Sequence, residues 1–117
     1  MIIKIAGLIP SQNVRDRRHW SQNQKEKESW VFKLLACRSQ CPIDLWYAIG
    51  FRSIVITSVR PRKITDSANL IGGCKSLVDA LVKTGLLIDD ADDCCHITYA
   101  QQTGSPAMVI IETKDNP

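Results

Sequence analysis

Asp66-Ser67-Ala68-Asn69-Leu70-Ile71-Gly72-Gly73-Cys74-Lys75 is the stretch whose reading decides the fold. Leu70, Cys74, Leu77, Val78 and Leu81 follow one another at spacings of 4, 3, 1 and 3, which is one face of a helix. Lys75 and Asp79 share the opposite side at i, i+4. Gly85 follows Lys83 and Thr84 where a helix C-cap glycine belongs. Inside a helix, Gly72 and Gly73 cost roughly 2 kcal/mol against alanine. Either the regular helix begins after them, or another part of the chain approaches that backbone closely. Asp89-Asp90 lie 14 and 15 residues beyond Lys75, so an acidic cluster and a lysine flank one helix. Two carboxylates at 4 Å repel by roughly 4 kcal/mol at an effective dielectric of 20. Such crowding is tolerated when a cation, often Mg²⁺, sits between them.

Working back toward the N-terminus, Phe51 to Val59 reads as a strand, with Arg52, Ile54 and Ile56 on one face and Val55, Thr57 and Val59 on the other. It runs into the basic cluster Arg60-Pro61-Arg62-Lys63. Gln40 to Gly50 is a connection whose Trp46 and Tyr47 pack down, on the core or on a partner chain. Trp20 to Cys37 is helical, with Ser21 as N-cap and Trp30, Val31, Leu34 and Leu35 as the apolar stripe. That stripe fills only the second half, so the first turns project from the core. Trp20 lies beyond the stripe, where packing is favoured over stacking on a base. Ser11 to His19 is a polar loop whose Arg15, Arg17, Arg18 and His19 suit phosphate contacts. Residues 1–9 are a buried strand closed by Pro10. Toward the C-terminus, Leu86-Leu87-Ile88 delivers the paired aspartates. His96 to Gln101 and Ala107 to Thr113 are strands joined through Gln102-Thr103-Gly104-Ser105 as a hairpin.

The 117 residues make one domain spanning 1–117, with an ordinary globular composition of 44% apolar and 23% charged residues. No apolar run reaches the roughly 18 residues of a membrane span, and the apolar start lacks the charged flank of a signal peptide. The expectation is a cytoplasmic protein without a membrane partner. Its five cysteines read as reduced thiols. Cys37, Cys41 and Cys94-Cys95-His96 match no usual zinc spacing. The net charge of +3 is segregated: residues 1–65 hold twelve Lys/Arg and four Asp/Glu, whereas residues 66–117 hold three and eight. A basic surface beside an acidic pocket suits a polyanion bound by the first and cut at metals in the second.

Taken in order, Asp66, Asn69-Leu70, Gly72-Gly73, Lys75, Asp79-Ala80-Leu81, Gly85 and Asp89-Asp90 resemble the RusA family of Holliday-junction resolvases. Pro10-Ser11-x-Asn13, His19-Trp20 and the basic run Arg60 to Arg62 are similar to further segments of that family. The core of the resemblance covers residues 52–95. It implies a homodimer that cuts branched, four-way DNA with Mg²⁺, or Mn²⁺ in its place, in recombination and repair. It further implies Asp66, Asp89 and Asp90 as catalytic metal ligands and Lys75 beside the scissile phosphate. Arg15, Arg17, Arg18, His19, Arg60, Arg62, Lys63 and Asn69 would contact DNA. The expected fold is α+β, two-layered, with a mixed sheet and two main helices on one face.

The chain departs from that pattern where the family carries aspartate, at Ala68 and, against many phage-type members, at Ser67. A methyl group cannot coordinate a cation, so a junction-binding homodimer with impaired or no catalysis is the alternative. A third reading is a dimeric interaction module with no nucleic acid. Read singly, Asp66 is a helix cap, Lys75 and Asp79 are an exposed ion pair, and Asp89 to Asp93 is a turn.

Overall fold

A computed structural model describes residues 1–114. The elements run β1 (Ile2–Ala6), α1 (Gln12–Arg17), α2 (Trp20–Arg38), α3 (Ile43–Trp46), β2 (Arg52–Arg60), α4 (Ser67–Gly73), α5 (Lys75–Lys83), β3 (Cys95–Thr103) and β4 (Met108–Lys114). They form an α+β fold of two layers around one four-stranded mixed sheet of order β1-β4-β2-β3. β4 pairs antiparallel with both β1 and β2, whereas β3 runs parallel to β2. Strand alternation puts Ile3, Ile111, Ile56 and Tyr99 in one row on the inner face. Leu34, Leu77 and Leu81, all fully buried, come from the helices α2 and α5 that close over this face. Arg52 shares the inner face with Ile54 and Ile56 as its alternation predicts. Its buried guanidinium donates to the carbonyls of Trp46, Leu86 and Leu45 at 2.7, 3.1 and 2.9 Å. Trp46 packs down onto the core of its own chain, its indole N–H donating to Thr84 O at 3.0 Å.

Three expectations need correction. Ser11 to His19 is not a loop, because Ser11 accepts from Val14 N and starts α1. The last two strands do not form a hairpin. Although the 104–107 turn follows β3 directly, β3 and β4 lie on opposite sides of β2, and the connection crosses the end of that strand with Gly104 N donating to Arg60 O at 3.0 Å. Ser21 is not the cap of α2. The N-cap is His19, whose Nδ1 accepts from Ser21 N at 3.2 Å.

The two glycines of the central stretch sit in α4, and a break at Cys74 separates α4 from α5. A Cβ on Gly73 would collide with the carbonyl of Pro10, and one on Gly72 with the side chain of Gln12. The close backbone approach that these glycines imply is therefore the seat of the α1 segment on α4. Gly85 takes φ +89°, the left-handed conformation that ends α5 after its C-cap Thr84.

Candidate active site

The crossover from β2 to β3 carries all the acidic candidates. Asp66 is the N-cap of α4, its Oδ1 accepting from Ala68 N at 2.8 Å. The loop leading to it is clamped on β3, where the side-chain amide of Gln101 donates to Ile64 O and accepts from Ile64 N, both at 2.8 Å. Asp89 and Asp90 leave the far end of α5, with Asp89 Oδ1 accepting from Asp90 N at 2.8 Å.

A shallow cavity of about 280 Å³ lies between the start of α5 and the inner edge of β3, lined by Lys75, Asp79, Asp90, Val78, Ile97 and Tyr99 among others. A neighbouring groove adds Lys27 of α2, Lys83 and Asp89. Thus Lys75, Asp79 and Asp90 share one cavity, and Asp89 stands at its margin through the groove. Asp66 does not line it. The Gln101 clamp and the Ile97 to Tyr99 wall stand two to four residues apart on β3, about 7–13 Å at 3.3 Å per residue. Among the described residues no three His, Cys, Asp or Glu side chains converge on one point. The exposed methyl of Ala68 adds no ligand.

Lys75 Nζ and Asp79 Oδ2 are 3.8 Å apart, in an ion pair whose lysine is largely exposed. At that exposure the pair adds little stability and leaves the ammonium accessible to an anion. Burial pushes the Tyr99 phenol up to about 12, with the charges of Cys74, Cys95 and Asp90 acting in the same direction. Its hydroxyl therefore keeps its proton at neutral pH. Behind the cavity, burial pushes the Cys74 thiol up to about 12, the Glu26 carboxylate adding to the shift and Arg15 opposing it. Cys74 is thus an inert core thiol.

The basic candidates divide. Arg17, Arg62 and Lys63 are exposed, and His19 is exposed while capping α2. Arg18 is half-buried and donates to Glu26 Oε2 at 2.8 Å. Arg60 is half-buried and donates to Ile9 O at 3.0 Å. Arg15 leaves the phosphate-contact set. It is buried, donating to Gly72 O at 3.1 Å and Ser76 Oγ at 3.0 Å, with its Nε 3.5 Å from Glu26 Oε1 in an ion pair without hydrogen-bond geometry. It fastens α1 to α4, α5 and α2. Asn69 is half-buried in the first turns of α4.

Sequence reasoning missed Tyr99 and Lys27 as lining residues. Alternation in β3 places Tyr99 beside Ile97, but only the fold brings that face under α5. Lys27 reads as one charge of a solvated run until α2 is laid on α5. A scan of protein-family models and a search of curated proteins both return no match for this chain. Among the described residues no helix is long and apolar enough to cross a membrane.

Proposed function

We propose that this α+β domain is a metal-dependent, structure-selective endodeoxyribonuclease of the RusA type, acting as a homodimer on four-way DNA junctions. The observation that carries the reading is the meeting of Lys75, Asp79 and Asp90 in one cavity, beside Lys27 and Asp89. Carboxylate oxygens suit Mg²⁺, which is bound by one or two carboxylates and keeps several waters. Asp90 and Asp79 would hold the ion, with Asp89 beside them. When bound, the ion supplies Lewis-acid polarisation of the phosphate and a more acidic water. The chain itself contributes the Lys75 ammonium, placed to offset negative charge developing on the phosphoryl oxygens. Tyr99, protonated at neutral pH, is an available donor on the cavity wall. Arg17, Arg62 and Lys63, with the free parts of Arg18 and Arg60, hold the DNA backbone without reading bases. Two cuts in a symmetric junction require two such sites, which a C2 dimer supplies.

A second reading, a junction-binding homodimer without catalysis, is favoured by one observation. One Asp66 oxygen is engaged by Ala68 N, and position 68 offers only a methyl. Cleavage and binding of a synthetic four-way junction, with and without Mg²⁺ or Mn²⁺, separate the readings. Metal-dependent nicking that Asp90→Asn and Asp79→Asn abolish, with binding retained, supports the nuclease. Salt-dependent binding without nicking assigns the second reading. Absence of salt-dependent binding refutes both.

A further inference from the structure

We propose that Trp20 is a nucleobase-stacking residue, gripping an unpaired base of a DNA strand whose backbone runs on to the groove of Lys27, Asp89 and Asp90. This rests on the nucleic-acid reading above and adds the feature of the substrate that is held. The first observation is exposure. Trp20 is 74% exposed, whereas Trp30 and Trp46 are 4% and 0% exposed. The expectation that Trp20 packs is thereby corrected. Among the described residues its one ring neighbour is His19, with centroids 5.4 Å apart and planes tilted by 38°, an arrangement that leaves the indole accessible.

The second observation is placement. At about 100° per residue, positions seven apart on a helix return to within about 20° of each other. Trp20 therefore shares a stripe of α2 with Lys27, which lines the groove with Asp79, Asp89 and Asp90. The seat of α2 on α5 begins one turn after Trp20. There Asn23 O accepts from Ser76 Oγ at 3.5 Å, and Asn23 Nδ2 donates to Arg15 O at 3.1 Å. Trp20 opens α2, three residues ahead of these bonds, on the stripe that carries Lys27. Seven residues at 1.5 Å put it about 10 Å from Lys27 along the axis.

The third observation is chemistry. Exposed Arg17 precedes the indole and Lys27 lies on its stripe, while Glu26 is neutralised by Arg18 and Arg15. An aromatic platform along a basic track is the arrangement that binds unpaired strands without sequence preference. The His19 cap also fixes the local backbone from which the indole projects.

Tryptophan emission tests the proposal in the full chain, since the other two indoles are buried. A single-stranded oligonucleotide, a four-way junction with unpaired thymines at its crossover, and a blunt duplex are titrated at low and high salt. Binding is followed in parallel by anisotropy of a labelled strand. The expected result is strong quenching by the first two probes and weak quenching by the duplex. Trp20→Ala should weaken single-strand binding about tenfold and leave duplex affinity and thermal stability unchanged. Trp20→Phe should restore affinity without the emission signal. Salt-dependent binding without quenching, or equal affinity of Trp20→Ala and the unaltered protein, overturns the stacking role and leaves the nucleic-acid reading standing. No binding to any probe overturns both.

Discussion

Arg15→Ala removes a side chain that is only 10% exposed and that ties four elements together. Two bonds are lost, to Gly72 O and Ser76 Oγ, each from a charged donor and worth about 1.5–3 kcal/mol. The ion pair with Glu26 is lost as well, and breaking a buried pair costs about 3–5 kcal/mol in total. Arg18 keeps its 2.8 Å bond to Glu26, so the carboxylate is not stranded and the two figures are alternatives, not a sum. The expected destabilisation is about 3–5 kcal/mol, against a stability of about 6–18 kcal/mol for a chain of this length. At about 4 °C per kcal/mol, the melting temperature should fall by about 12–20 °C. Arg15→Lys keeps the charge without the planar fork and should fall between. Arg17→Ala, at an exposed position of the same short helix, should stay within about 0.5 kcal/mol. Urea unfolding followed by the emission of buried Trp30 and Trp46 measures all three. Equal midpoints for Arg15→Ala and Arg17→Ala would refute the clamp and return Arg15 to the phosphate contacts.

Gly73→Ala places a methyl against the carbonyl of Pro10, so α1 must lift from α4. A loss of more than 2 kcal/mol is expected from such overpacking, read as a lowered urea midpoint, whereas Gly50→Ala, in open space, should change little. The Cys74 thiol, pushed from 9.0 to about 12, gives a pH dependence. Its folded value is raised, so its contribution is complete below about pH 9 and is lost as pH rises toward 12. Unfolding free energy should drop by about 2 kcal/mol between pH 8 and pH 10.5 on this account, and Cys74→Ala should lack that part of the drop.

The strands β1 and β2, the second half of α2 and the amphipathic face of α5 are legible in the sequence, because period 2 and period 3.6 are local signals of burial. So was the demand for a close approach at Gly72-Gly73, since a side chain's absence is itself written in the chain. The identity of what approaches was not, because Pro10 and Gln12 lie some sixty residues away and only packing brings them there. α1 escaped notice for the same reason: a short helix without an apolar stripe is held by its seat on α4, not by its own propensity. The order β1-β4-β2-β3 also lay beyond local reading. A turn signal between β3 and β4 reports that the chain reverses, but which strand it then joins depends on the inner faces of β1 and β2. The same division runs through the candidate site. Acidic residues around one helix, a lysine and a basic first half are properties of the sequence. That Asp90 shares a cavity with Lys75 and Asp79 while Asp66 does not line it, that Arg15 turns inward and that Trp20 stays exposed are decided by tertiary structure. They follow from where α2 and the α4–α5 pair come to rest on the sheet.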